Sequence, residues 1–363
     1  MINGLGEKSG MLTERQRVTL LLLLSVVAIL AALWSLKGPW QLHQKERPQA
    51  ALRYFSDDAF YQPAARQKIE SPINPIPHLL VLSADLQRRV DLGRQLFRDT
   101  RLSGSEEVSC LSCHVPGVGG HDPRGDSLGL NGVKLGRNTP TVLNATFNVK
   151  LFWDGRSPDL LDQVSDPIGN PNEMNGKWPD IIDRLRSDPE MVKQFSIYPQ
   201  GITVATISDA IALYERTLVT PDSPFDRYLM GDNTAITEKQ KSGYERFVKY
   251  GCVSCHQGRN VGGNLFEKIG IYATKQQLEQ FSESDLGRYR VTGDISDTLV
   301  FRVPSLRNVA LTAPYFHNGS RPTLRDAVSS MGRFQLGKEL SDEDVDHLVA
   351  FLESLSGDLE GSD

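Results

Sequence analysis

The chain has 363 residues, 39% apolar and 23% charged, with 40 basic and 45 acidic side chains. That is length for two or three domains of ordinary folded composition, which excludes a disordered or fibrous chain. A formal net charge of -5 argues against nucleic acid as a partner and leaves room for a small basic one.

The first predicted element is a membrane span. After Glu14, Arg15 and Arg17 comes VTLLLLLSVVAILAALWSL, the uncharged 19 residues of 18–36, long enough to cross a bilayer as a helix. Trp34 and Trp40 sit where interfacial aromatics belong, and the preceding basic residues put the N-terminus on the cytoplasmic side. The span exceeds a signal-peptide core and no A-x-A site follows it. The expectation is an uncleaved inner-membrane anchor over residues 1–36 with a periplasmic body; the alternative is a cleaved signal peptide and a soluble periplasmic protein. Residues 37–79, rich in Pro and Gln, read as a tether and wrapping segment.

Helical patterns follow. Ser83 is placed to cap ADLQRRVDLGRQLFRD, with Leu86, Val90, Leu92, Leu96 and Phe97 at helical spacing. Next come Cys110, Cys113 and His114, the C-x-x-C-H spacing of covalent haem attachment. The two thiols add to haem vinyl groups and the histidine ligates the iron from one side. Further on, Thr237 and Gln240 form a capping box ahead of KSGYERFVKY, and Cys252, Cys255 and His256 repeat the haem motif. Ser341 caps DEDVDHLVAFLESL, a helix expected to run to Gly357 with acids in its first turn. No long stretch alternates as a strand. One C-x-x-C-H alone would also fit a zinc half-site or a redox dithiol. Two copies that consume all four cysteines point to two c-type haems and leave none for a disulfide. The expected fold class is mainly α: two tandem c-type cytochrome domains, each with one covalent haem, after a transmembrane helix.

The chain also repeats itself. GRQLF (93–97) precedes the first motif and GYERF (243–247) the second; NTPTVLNATF (138–147) matches FRVPSLRNVAL (301–311) through a shared Pro and Asn. FWDGRSPDLLDQV (152–164) matches FHNGSRPTLRDAV (316–328) without a gap, aligning Phe152 with Phe316, Gly155 with Gly319 and Pro158 with Pro322. The reading is two related haem domains, 80–236 and 237–357, with a tail at 358–363.

In that register Pro167 falls opposite Met331. Methionine is a common second axial ligand that raises a haem's potential, and proline has no atom that ligates. Met331 as a core gap-filler is the competing reading, but the duplication favours ligation. Gln163 and Glu173 supply side chains that the second copy lacks. A carboxylate beside an open iron can take a proton from the near oxygen of peroxide and deliver it to the far one, and an amide can orient peroxide or water. By spacing alone Glu173 reads equally as a solvated loop acid and Gln163 as a surface amide. Trp153 reads as a buried aromatic at a loop corner or as a residue packed between domains near a haem edge; its counterpart is His317.

Together GRNTPTVLNATFNVKLFWDGR, the two haem motifs, PSLRNVALTAPYFHNGS and SSMGRFQLG resemble the bacterial di-haem cytochrome c peroxidases over about residues 72–357. The resemblance implies a peroxidatic N-terminal haem with His114 as proximal ligand and a C-terminal electron-entry haem held by His256 and Met331. It further implies Trp153 between the haems, Gln163 and Glu173 in the distal pocket, and a calcium ion held by the Asn138 side chain with the carbonyls of Thr312 and Pro314. Hydrogen peroxide is the implied substrate. The electron donor stays open between a small cytochrome c, a cupredoxin and a membrane quinol pool, and members of the family often dimerise. Many members cap the peroxidatic iron with the histidine of an S-x-G-H loop; here the loop reads Ser127-Leu128-Gly129-Leu130, and leucine cannot ligate. His121 is the nearest substitute, though its ordinary role is a loop histidine at the surface or near a propionate. The rival readings are a MauG-type enzyme that oxidises a partner protein, which would carry tyrosine at position 331, and a tethered di-haem electron carrier without catalysis. His43, His78 and His347 carry no chemistry that spacing can argue.

Overall fold

A computed structural model of the chain describes residues 57–63, 67–124, 128–274 and 283–360. The span expected over 18–36 and Ser127 lie outside them. Among the described residues no helix is long and apolar enough to cross a membrane.

The described elements are helical with long loops: α1 (Ala84–Phe97), α2 (Leu160–Gln163), α3 (Ser165–Gly169), α4 (Trp178–Arg186), α5 (Pro189–Gln194), α6 (Val204–Arg216), α7 (Pro224–Leu229), α8 (Glu238–Lys249), α9 (Tyr289–Thr292), α10 (Leu324–Ser330) and α11 (Asp342–Glu353). Two short strands, β1 (Phe266–Lys268) and β2 (Val300–Arg302), pair antiparallel with Phe266 opposite Arg302. The helix starts obey local chemistry. Ser83 accepts from the Leu86 amide, Thr237 and Gln240 close a reciprocal capping box, and Ser341 accepts from the Asp344 amide. The last helix stops at Glu353 rather than Gly357. Ser354 caps it, and the Gly357 amide bonds the Asn308 side chain instead of continuing the spiral.

Apolar side chains gather in two main clusters. One draws on residues from Phe60 to Val219, the other on Ile73 and residues from Phe225 to Leu355. The second therefore takes in α7, ahead of the division at 236/237 read from sequence. Each cluster is built on one close helix crossing. In the first, a Cβ on Gly93 would stand 1.8 Å from the Ala210 carbonyl oxygen, and Phe97 meets Tyr214 edge-on at 5.3 Å. In the second, a Cβ on Gly243 would stand 1.9 Å from the His347 carbonyl oxygen, and Phe247 meets Phe351 at 5.0 Å. Glycine in GRQLF and GYERF thus lets α1 lie against α6 and α8 against α11.

The loops repeat as well. Asn144 and Asn308 are both left-handed, at φ 57° and 59°, and each opens a 3-10 turn. Phe152 and Phe316 share positive φ, 64° and 68°. The bridges Leu151–Ser157 and Tyr315–Arg321 occupy the same places in their copies. The two asparagines meet: both donate a side-chain N–H to the buried Thr220 hydroxyl, at 2.8 and 2.9 Å.

Candidate haem centres

Each C-x-x-C-H motif forms a short 3-10 turn, Cys110–Ser112 and Cys252–Ser254, and in both the histidine amide donates back to the first cysteine's carbonyl at 2.9 Å. The two histidines are held alike. His114 Nδ1 lies 3.1 Å from the Gly120 carbonyl and His256 Nδ1 lies 3.2 Å from the Val261 carbonyl. A carbonyl accepts only, so each Nδ1 carries the proton and each Nε2 keeps a free lone pair, the arrangement an iron requires. Burial lowers the proton affinity of both rings, His256 to about 4, which keeps them neutral and able to ligate. The residues fit covalent haem at both positions.

The second motif opens onto a cavity of about 260 Å3 whose walls carry Cys252, Cys255, His256 and Met331. The structure therefore brings Met331 to the same cavity as His256. Met331 begins a π-helical turn, Met331–Gln335, directly after α10, an irregularity frequent at functional sites. Trp153, Asn138, Thr312 and Pro314 line the same cavity. Trp153 is fixed by its indole N–H, which donates to the Asn138 carbonyl at 2.8 Å, and it stands edge-on to His317 at 6.3 Å. The Asn138 amide in turn donates to the His317 carbonyl at 2.9 Å.

Around the first motif burial raises the proton affinity of the Cys113 thiol, and the structure brings Glu173 near enough for its charge to add to that rise, after Asp122. Burial raises the proton affinity of Glu173 itself, opposed by Arg156 and by a 2.9 Å hydrogen bond from the Asn170 side chain. It is thus no freely solvated loop acid. Gln163 closes α2, half-buried, and its side chain forms no hydrogen bond among the described residues. Pro167, the counterpart of Met331, lies inside α3. The loop at Leu130 packs on the Glu173 segment: the Leu130 amide donates to the Asn172 carbonyl, and a Cβ on Gly129 would clash with that same oxygen.

His121 departs from expectation. It is neither a surface residue nor a solvated loop histidine but only 3% exposed, with Nε2 on the Ala313 carbonyl at 3.0 Å. Its partner is 192 residues away in sequence, so spacing could not reveal it. Sequence reasoning also left His317 without a partner. Its ring is buried, stacked on Phe301 at 4.2 Å, and its Nε2 is 2.6 Å from Asp285. His347, on α11, faces Arg246 at 3.1 Å.

Two haem-attachment motifs, each with a neutral histidine presented from its own turn, define a di-haem c-type cytochrome. Comparison with known proteins narrows the class. Residues 87–234 match the family described as di-haem cytochrome c peroxidase, and residues 300–336 match a RoxA-like, cytochrome c-like family. The cytochrome c peroxidase of Escherichia coli is 46% identical over 85% of this chain, which spans 65% of that protein's length. The cytochrome c551 peroxidase of Pseudomonas aeruginosa is 44% identical over 85% of this chain and 88% of its own. Among solved structures, a MauG-like protein associated with microbial copper homeostasis superposes with a TM-score of 0.68 at 28% identity, covering 81% of this chain and 96% of that one. The chain belongs to the di-haem cytochrome c peroxidase family.

Proposed function

We propose that the protein reduces hydrogen peroxide to two waters, consuming two protons and two electrons from a small redox protein. The observation that carries this reading is the inequality of the two centres. The second sets Met331 on the cavity of His256, whereas the first has Pro167 in that register and a half-buried glutamate beside its attachment cysteine. His256 and Met331 would hold one haem and His114 the other from one side only. When bound, the haems supply electron storage and an iron at which the O–O bond is cleaved. Glu173 moves the proton: the carboxylate takes it at Oε from the near peroxide oxygen and returns it to the far one as water leaves. Its raised proton affinity suits it to both tasks. Gln163 orients the substrate, and Trp153 bridges the two centres, tied to Asn138 and packed on His317. Met331 in place of tyrosine speaks against the MauG-type reaction.

Calcium fits the junction. Asn138 Oδ1 is buried without a donor among the described residues, while its side-chain nitrogen faces the carbonyls of Pro314 at 2.6 Å and Phe316 at 3.1 Å. Because the O and N of an amide are assigned from their partners, turning this amide would set neutral oxygens around a point that suits a hard cation. The uncharged 18–36 segment supports a periplasmic body anchored in the inner membrane, and the two apolar clusters support two domains, though they part ahead of α7 rather than at 236/237.

The test is low-temperature EPR of the fully oxidised holoprotein, followed by peroxide turnover without prior reduction. One high-spin and one low-spin ferric signal with immediate turnover are expected, because Leu130 offers no capping ligand. Glu173→Gln should retain both haem signals and lose roughly 10²–10⁴ in rate. Two low-spin signals and no turnover would mean that a side chain, His121 first, closes the first iron, and would leave a reductively activated peroxidase or a plain electron carrier.

A further inference from the structure

Two buried arginines follow each other in FRVPSLRN. Arg307 is fully enclosed and fully answered, with Asp226 at 2.7 Å and acceptors on Ser223, Asn74 and Arg259. Arg302, on β2, is 4% exposed and has no carboxylate partner among the described residues. Its Nε donates to the Phe152 carbonyl at 3.2 Å, one Nη reaches the Val303 carbonyl at a long 3.4 Å, and the other Nη meets no acceptor there. Burial draws its proton affinity down only to about 10, so the guanidinium is charged at neutral pH. A buried cation without an anion costs several kcal/mol, and Arg302 lines the cavity of His256 and Met331. The groups entering that cavity with negative charge would be the two propionates of a haem, and a guanidinium fork matches a carboxylate in two-point geometry.

The geometry points to Arg302 as the anchor of a propionate of the C-terminal haem and, through the same residue, as the positioning residue for Trp153. The second half of this assignment rests on two bonds to the other repeat: the Arg302 amide donates to the Trp153 carbonyl at 2.8 Å and its Nε to Phe152. One residue would thus tie the cofactor edge to the turn that carries the bridging tryptophan. The inference depends on the reading that this cavity holds a haem, and does not depend on peroxide being the substrate.

The experiment is an optical redox titration of the His/Met haem in the full-length holoprotein, for wild type, Arg302→Gln and Arg302→Lys. A positive charge beside the haem favours its reduced form. Arg302→Gln is therefore expected to lower the midpoint potential by a tenfold change in the reduction equilibrium, 59 mV for one electron. Arg302→Lys keeps the charge and should stay near wild type. A glutamine variant at the wild-type potential, or a lysine variant displaced as far as glutamine, overturns the assignment. If Arg302→Gln does not assemble, the wild-type potential decides. A propionate paired with guanidinium stays ionised and leaves the potential flat across about pH 6–8, whereas a slope there refutes the pairing. Peroxide turnover by the same samples separates the two ideas: wild type without turnover strikes the peroxidase reading and leaves the potential shift standing.

Discussion

Glu215, on α6, is buried, and its Oε2 meets no hydrogen-bond partner among the described residues. Burial alone pushes its carboxyl from the usual 4.5 up to about 8. The folded protein therefore holds this proton through neutral pH while the unfolded chain releases it. The sign follows from linkage: the contribution to stability is complete below about 4.5 and is lost as pH rises toward 8. Glu215→Gln should melt close to wild type in mild acid and above it near pH 8; parallel melting curves across that range would refute the shift. Such single-residue environments were the least legible part of the sequence. His114, His256 and Met331 announce themselves by spacing and register. The burial of Glu215, the enclosed His121 and the buried Arg302 depend on contacts between segments far apart in the chain, and no local pattern encodes those.

At the scale of elements, the sequence was legible where the rule is local. Ser83, Thr237 with Gln240, and Ser341 cap the helices they precede because a side-chain oxygen three residues from an orphan amide is sufficient. The end of α11 was not legible, because Gly357 is claimed by Asn308, 49 residues away. The repeated GRQLF and GYERF carried more information than their composition shows, since each glycine is the point where two helix backbones nearly touch. Gly93→Ala and Gly243→Ala should each cost about 1–3 kcal/mol or more, because the helices must part to admit a methyl group. Thermal unfolding of the holoprotein reads this directly, and an alanine variant as stable as wild type would mean that the helix backbones do not meet so closely.

For the whole molecule, Thr220 is one tie between the copies. Its hydroxyl receives Asn144 from one and Asn308 from the other, and its amide returns a bond to Asn144 at 3.0 Å. Thr220→Val would strand a buried N–H on each asparagine, at about 1–3 kcal/mol apiece. We expect Thr220→Val to lower the melting temperature of the full protein and Thr220→Ser to restore most of it; equal melting of valine and serine variants would show the hydroxyl to be idle. The repeat was visible in sequence, but the residue that joins its halves was not, because Thr220 lies in neither repeated segment.

The contacts at the junction obey a reciprocal rule. The Asn138 amide donates to His317 while the Arg302 amide donates to Trp153, and 138 is to 302 as 153 is to 317. Trp153 also touches its own counterpart, His317. A residue that meets itself across a contact marks a two-fold axis, and paired exchanges of this kind are the signature of an isologous dimer. The seam inside this one polypeptide is therefore built as the interface of two identical single-haem subunits would be. On that axis the substitutions that set the halves apart, Met331 against Pro167 and Arg302 against Asn138, are broken symmetry, and on them rests the proposed division between a half that holds an electron and a half that spends it.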